Sequence, residues 1–168
     1  MIIRDEQIND IDVIKEIHDL AFMGDGEGKL IDRLRGEKIE LISLVAEENA
    51  RVLGHILFSP ASIHDNEKST EIIGLAPMAV HPFFQRKGIG SALIKEGLSR
   101  CNKKGYGAIV VLGHPEYYPK FGFIPSVKYN ISCEYDVPEE VFMILELRKD
   151  FLKGISGKAK YHPAFNEM

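Results

Sequence analysis

Gln85-Arg86-Lys87-Gly88-Ile89-Gly90-Ser91 is the stretch whose residue types and spacing best suit a chemical task. Two glycines separated only by Ile89 let the backbone turn tightly and bring its N–H groups near a ligand with no side chain in the way. Arg86 and Lys87 add full positive charge. A helix starting near Ile89 would add the positive end of its dipole and N–H donors that it cannot bond internally. Such a turn suits phosphate oxygens. A glycine pair alone would equally serve a plain strand-to-helix turn. A nucleoside-triphosphate loop needs Gly-Lys followed by Ser or Thr, and a dinucleotide fingerprint needs a third glycine near Leu93; the chain has neither.

Two elements must hold this turn. In residues 72–80, Ile72, Gly74, Ala76, Met78 and Val80 share one face, and Ile73, Leu75, Pro77 and Ala79 the other. Both faces are apolar, which predicts a central strand. Pro77 has no N–H to give to a ladder and so predicts a local break in pairing. After the turn, Ile89, Leu93, Gly97, Leu98 and Cys101 mark the inner face of a helix over 89–104, stopped by Gly105. Residues 108–112 are wholly apolar, as a buried parallel neighbour should be. Strand, helix and strand form one crossover with the glycine turn at its ligand-facing end.

With its flanks, the turn resembles the acetyl-CoA loop of the GCN5-related N-acetyltransferase (GNAT) superfamily. That pattern is Gln or Arg, two residues, Gly, one residue, then Gly or Ala; Gln85, Gly88 and Gly90 stand at those positions. Upstream, Met78-Ala79-Val80-His81-Pro82 is similar to the family's fourth strand and its exit. Downstream, Tyr118-Pro119-Lys120-Phe121-Gly122-Phe123 is similar to the family's Tyr, three residues, Gly-Phe. Three segments in the right order are far more specific than one. Leu112-Gly113-His114-Pro115 before Tyr117-Tyr118 looks like a YhbS-like branch, with His114 where that branch has Asp. The commonest family pattern has Asn at the position of Val111 and a longer helix after it.

The resemblance implies an α/β (α+β) fold: a mixed, mostly antiparallel central sheet with splayed fourth and fifth strands, flanked by helices. It implies one N-acetyltransferase domain over residues 1–168, with a core of 1–147 and a tail of 148–168. The implied cosubstrate is acetyl-CoA, its pantetheine arm on the backbone of Met78, Ala79 and Val80 and its phosphates on Gln85, Arg86, Lys87, Gly88, Ile89, Gly90 and Ser91. Tyr118, four residues before Gly122, takes the place of the general acid. His114 or Glu116, or a base acting through water, takes the place of the general base. Glu27, in the wall of the acceptor site, is the candidate to hold a cationic substrate. The implied reaction is direct transfer, in a ternary complex, to a primary amine of a small molecule or peptide. The competing class is a CoA-binding regulatory or interaction protein without efficient transfer.

Magnitudes rank the needs of such a reaction. A lysine-like amine with a pKa of about 10.4 costs roughly 4 to 5 kcal/mol to deprotonate at pH 7, an α-amine near 8 only about 1. A CoA-like thiol near 8.5 is a weaker base than a phenolate near 10, so a full proton transfer from Tyr118 would be uphill by roughly 2 kcal/mol. A hydrogen bond from Tyr118 is the smaller demand.

Composition sets the remaining bounds. The 168 residues, 45% hydrophobic, suit a single domain. A net charge of -4 argues against a nucleic-acid surface and favours a cationic small substrate. Cys101 and Cys133 are too few for a disulfide framework and are expected to be packing residues in a cytoplasmic protein. No apolar run approaches membrane-spanning length, and six histidines without ligand spacing predict no metal.

The flanks complete the expected order of elements. Residues 1–4 read as an edge strand, and Asp10 as the N-cap of a helix whose inner face carries Ile11, Ile14, Ile17, His18 and Ala21. His18 is read there as a boundary residue, and His55 has no partner pattern. Residues 24–28 read as a flexible glycine loop before a short helix carrying Leu30, Ile31 and Leu34. Residues 41–47 and 52–63 read as a hairpin. The apolar final strands and the tail are placed to pair between subunits of a homodimer.

Overall fold

The computed structural model describes residues 1–167. The chain groups into two compact units: Met1–Phe58, Ala76–Arg100 and the residues from Ala164 onward in one, Ser59–Leu75 and Cys101–Pro163 in the other.

In the first unit, β1 (Ile2–Asp5) pairs antiparallel with β2 (Ile42–Glu48), from Ile2↔Glu47 to Asp5↔Leu44. β2 returns through Asn49 and Ala50 into β3 (Arg51–Asp65). Both turn residues have positive φ, 53° and 62°, which matches the twist of a two-residue hairpin. β3 shows its two faces to different helices. Its odd-numbered His55 and Leu57 face α1 (Ile11–Phe22) and α2 (Gly26–Gly36); there Ile14, Leu30, Ile31, Leu34, Val45 and Leu57 form a core that Ala164 and Phe165 close. Its even-numbered Gly54 and Phe58 face α3 (Ile89–Lys103). A Cβ on Gly54 would stand 3.1 Å from Ile89 and Leu93, and one on Gly97 would stand 2.4 Å from the Phe58 ring. These two notches seat α3 close against β3. Of the expected inner face of α3, Ile89, Leu93, Gly97 and Cys101 are buried, but Ile94 is buried where Leu98 is only half-buried.

Asp10 stands at the N-cap position of α1 without capping it. Its carboxylate instead accepts from the Arg4 guanidinium (2.7 and 3.1 Å) and from the Gln7 N–H (2.7 Å). A charged partner outbids the neutral helix donors because charge-assisted bonds are about twice as strong. The expected glycine loop over 24–28 is also shorter than its composition suggests, since α2 begins at Gly26. Gly28 lies against Lys15 and Asp19 of α1, and that packing outweighs the low helix propensity of glycine.

The second unit is built around β4 (Lys68–Val80), whose first part belongs to it, and β5 (Ala108–Leu112), its parallel neighbour. Their ladder has three pairs, Ile73↔Ile109, Gly74↔Val110 and Leu75↔Val111, and ends just before Pro77, as the missing N–H predicts. The Ala76–Pro77 peptide is cis. β8 (Phe142–Glu146) pairs antiparallel with β5 on one side and with β6 (Ile124–Pro125) on the other. β9 (Gly157–Lys160) lies between β3 and β7 (Ile131–Cys133), so both its edges are taken within the chain. β6 and β7 each pair on one side only, with β8 and β9 respectively. The architecture is mixed α/β with a mostly antiparallel sheet, its parallel ladders being β4–β5 and β7–β9. No helix among the described residues is long and apolar enough to cross a membrane.

Candidate active site

The glycine turn is fastened at both ends. The His81 N–H donates to the Leu53 carbonyl at 2.8 Å, holding the exit of β4 on β3. Pro82–Phe84 then make one 3-10 turn, with proline where no donor is needed and the His81 ring accepting the Phe83 N–H. The Gln85 side-chain amide donates back to the Val80 carbonyl at 3.0 Å, folding the turn onto the strand end. Arg86 (φ 64°) and Gly88 (φ 85°) then reverse the chain. The first helical bond of α3 is Ala92 N–H to Gly88 carbonyl, 3.0 Å. The N–H groups of Ile89 and Gly90 therefore have no carbonyl one turn back within the helix. A Cβ at Gly88 would meet nothing within 4 Å, so what demands glycine there is the positive φ, and the space beside it is open.

The predicted loop residues share one short surface. Gln85, Arg86, Lys87 and Gly88 are exposed, while Ile89 is buried and anchors the turn. The Phe84 ring lies under two cations, with Arg51 Cζ at 5.3 Å and Lys87 Nζ at 5.5 Å from its centre. Sequence reasoning missed Arg51, which reaches this patch only because β3 starts beside the end of β4. Met78 and Val80 are half-buried and Ala79 is buried, with its carbonyl against Gly54.

Glu27 lies in the first turn of α2, half-buried, where a carboxylate suits the helix dipole. Its neighbour Asp25 is paired with Lys29 at 2.8 Å.

The first unit also holds a polar chain that sequence reasoning missed. His18 is fully buried, not at a boundary, and its Nε2 lies 2.8 Å from His55 Nδ1. His55 Nε2 lies 2.8 Å from Ser43 Oγ, and Ser43 donates to Glu6, which also accepts from Arg35 at 2.8 and 3.0 Å. Burial alone would push the Glu6 carboxyl up, but the neighbouring His55 ring and the bonds from Arg35 and Ser43 hold it at about 2. Burial pushes His18 down to about 3, with the His55 and Arg35 charges adding to it, and burial lowers His55 as well. Both rings are neutral at pH 7. The Glu6 charge then orders the chain: Ser43 gives its proton to Glu6, so His55 donates from Nε2 and accepts at Nδ1, and His18 donates from Nε2. A legible signal existed. A histidine on the apolar face of a helix and another within a buried strand each need a partner.

In the second unit, β5 runs out at Leu112, and the His114 carbonyl accepts the N–H groups of Tyr117 (3.1 Å) and Tyr118 (3.3 Å). Tyr118–Phe121 form a single 3-10 turn, with Pro119 near its start and Gly122 at φ 99° closing it. Tyr118 is buried, packed edge-on to Tyr117 and Phe123 with centres 5.2 and 5.7 Å apart. Burial, with Tyr117 adding to it, pushes its phenol up to about 12. His114 and Glu116 are both exposed. Cys101 is buried and its thiol pushed up to about 12 by that burial, which suits packing and not nucleophilic work. No group of His, Cys, Asp and Glu among the described residues could hold a metal ion.

Known proteins share this fold. The family profile described as "Acetyltransferase (GNAT) domain" matches residues 40–125. The chain is 33% identical over 169 aligned residues to the N-acetyltransferase YhbS of Escherichia coli, covering 100% of both. The crystal structure of E. coli YhbS in complex with CoA superposes with a TM-score of 0.91 at 32% identity, covering 98% of this chain and 91% of that one. A GNAT family acetyltransferase from Brucella melitensis in complex with acetyl-CoA gives 0.79 at 35% identity, covering 98% and 97%. The family profile, the mixed sheet and full-length likeness to these enzymes converge on one conclusion: the chain belongs to the GNAT family of acetyltransferases.

Proposed function

We propose that this protein binds acetyl-CoA and transfers its acetyl group directly, in a ternary complex, to a primary amine of a small molecule or peptide. The observation that carries this reading is the turn at Gly88: open space, a reversed backbone, the first N–H groups of α3 and the charges of Arg86 and Lys87 in one place. That set fits a pyrophosphate. CoA and acetyl-CoA in the two relatives' structures support the same ligand. The backbone of Met78, Ala79 and Val80 takes the pantetheine arm, and an N–H near Met78 takes the negative charge that grows on the thioester oxygen.

The amine nitrogen attacks the thioester carbon, the C–S bond breaks, and the sulfur leaves with its electron pair. Tyr118 meets that sulfur as a hydrogen-bond donor. With the phenol at about 12 and a thiol near 8.5, complete proton transfer would be uphill by about 5 kcal/mol. The thiolate therefore takes its proton from solvent after release. The amine proton also leaves toward solvent, by way of exposed groups such as His114 and Glu116. Glu27 draws a cationic acceptor.

Calorimetric titration with acetyl-CoA, for the wild type and Gly88→Glu, tests the cofactor. Binding that the variant loses is the expected result, since it meets both a positive φ and a misplaced charge. A wild type that binds nothing would end this reading. Thiol release is then followed across an amine panel; tight binding without amine-dependent release would point to a CoA-binding regulatory protein.

A further inference from the structure

The register between β2 and β3 breaks once. Ala46 stands opposite Gly54 and Glu47 opposite Val52, so Leu53 has no partner across the hairpin. This is a β-bulge, and one extra residue in a strand reverses the alternation of its faces from there on. The packing follows the reversal. Gly54 and Phe58 face α3, and a regular strand would put residue 52 there too; Val52 instead packs against the core that holds Leu57 and Val45 beneath α1 and α2. Its neighbour Arg51 is thereby turned to the α3 side, where the glycine turn lies. The Phe84 ring receives it, with Arg51 Cζ at 5.3 Å and Lys87 Nζ at 5.5 Å from the ring centre.

Stacking on an aromatic face steadies a guanidinium and leaves the N–H donors at its edge for another partner. Arg51 and Lys87 are exposed, and among the described residues neither joins an ion pair. Glu48, opposite Arg51 at the hairpin turn, has its carboxylate 3.8 Å from the amino terminus of the chain. Two cations gathered on one ring beside a positively charged turn repel each other until an anion comes between them. We propose that Arg51 is a further residue of the cofactor site: its guanidinium, brought to the α3 side by the bulge at Leu53, joins Lys87 in holding a phosphate of acetyl-CoA. This rests on the acetyl-CoA reading above. Acetyl-CoA offers two sources of that chemistry, its pyrophosphate and its ribose 3′-phosphate.

Calorimetric titration of wild type, Arg51→Gln, Arg51→Met and Arg51→Lys with acetyl-CoA and with acetyl-dephospho-CoA, which lacks the ribose 3′-phosphate, decides the matter. The Gln and Met variants should bind acetyl-CoA about five- to tenfold more weakly at low salt, and the loss should shrink as salt is raised. Arg51→Lys, which keeps the charge and gives up the fork, should lose less. A loss confined to acetyl-CoA assigns Arg51 to the 3′-phosphate, and an equal loss with both ligands assigns it to the pyrophosphate; either upholds the proposal. Undiminished affinity in Arg51→Gln overturns it. A loss in Arg51→Gln that Arg51→Met repairs also overturns it, because the aliphatic cover over Phe84 would then be what matters. An equal loss in Lys38→Gln, just beyond α2, would do the same by reducing the effect to net charge. A wild type without affinity for acetyl-CoA rejects the cofactor reading and this proposal together, whereas a wild type that binds no better than Arg51→Gln rejects the proposal alone.

Discussion

Gly113 and Tyr118 occupy each other's space: a Cβ on Gly113 would stand 2.3 Å from Cε2 of the tyrosine ring. One edge of the ring lies against bare backbone where β5 ends, so its placement depends on residue 113 having no side chain. Gly113→Ala must push the ring aside. If Tyr118 meets the departing sulfur, this variant should lose about tenfold or more in kcat, because small displacements of a positioned group are costly. Tyr118→Phe should lose a similar factor through the missing donor. Steady-state kinetics check both, and in each the acetyl-CoA affinity measured by calorimetry should stay near wild type. Two variants with undiminished kcat would remove Tyr118 from the chemistry.

Acid should unfold the first unit early, and through histidine. The folded pKa of His18, about 3, lies below its ordinary 6.5, so below pH 6.5 the unfolded chain binds a proton that the folded chain does not. Stability is whole above pH 6.5 and falls as pH drops toward 3, by about 1.4 kcal/mol per pH unit for one such group. Glu6, lowered from 4.5 to about 2, adds a loss of the same sign between those values. Urea midpoints at pH 7, 6, 5 and 4 should decline throughout. His18→Leu should flatten the decline between pH 6.5 and 4.5, and an unflattened curve would place the acid sensitivity elsewhere.

Phe58 fills the space a side chain at residue 97 would need. Overpacking of this kind typically costs about 1 to 3 kcal/mol, so Gly97→Ala should lower stability in that range. Equilibrium unfolding in urea measures it. Phe58→Leu, destabilising alone, should partly rescue the double variant because the two residues share one contact.

At Gly88, the obstacle to a side chain is backbone conformation, with open space around it. Gly88→Ala should therefore cost roughly 1 to 2 kcal/mol of left-handed strain, with Tm lower by a few degrees. Acetyl-CoA should bind more weakly wherever the turn relaxes. Calorimetry separates this from Gly88→Glu, whose charge adds a loss that salt reduces.

Local chemistry was the legible part. Gly88, Gly90 and the caps of α3 announce themselves within a few residues, and the interruption at Pro77 follows from one missing N–H. What escaped depends on partners far apart in sequence. His18 and His55 are 37 positions apart, and only the alternation of β3 brings the second ring toward α1. Asp10 reads as a cap until Arg4 is found beside it on an adjacent strand end. The glycines before α2 read as breakers, yet Gly28 is what lets α2 approach Lys15 and Asp19 of α1. Tyr161, in the tail, carries no local sign that its hydroxyl reaches the Leu75 carbonyl of β4.

The core beneath α1 and α2 is closed by Ala164 and Phe165, and that has a consequence for birth on the ribosome. Both helices emerge well before the residues that cover their apolar faces, which lie roughly 130 positions further along the chain and are added at about 5 to 20 residues per second. For roughly ten seconds Leu30, Ile31 and Leu34 wait for a lid still being translated. The nascent chain should be a client of trigger-type holdases during that interval, and a stall shortly before residue 164 should leave it sticky.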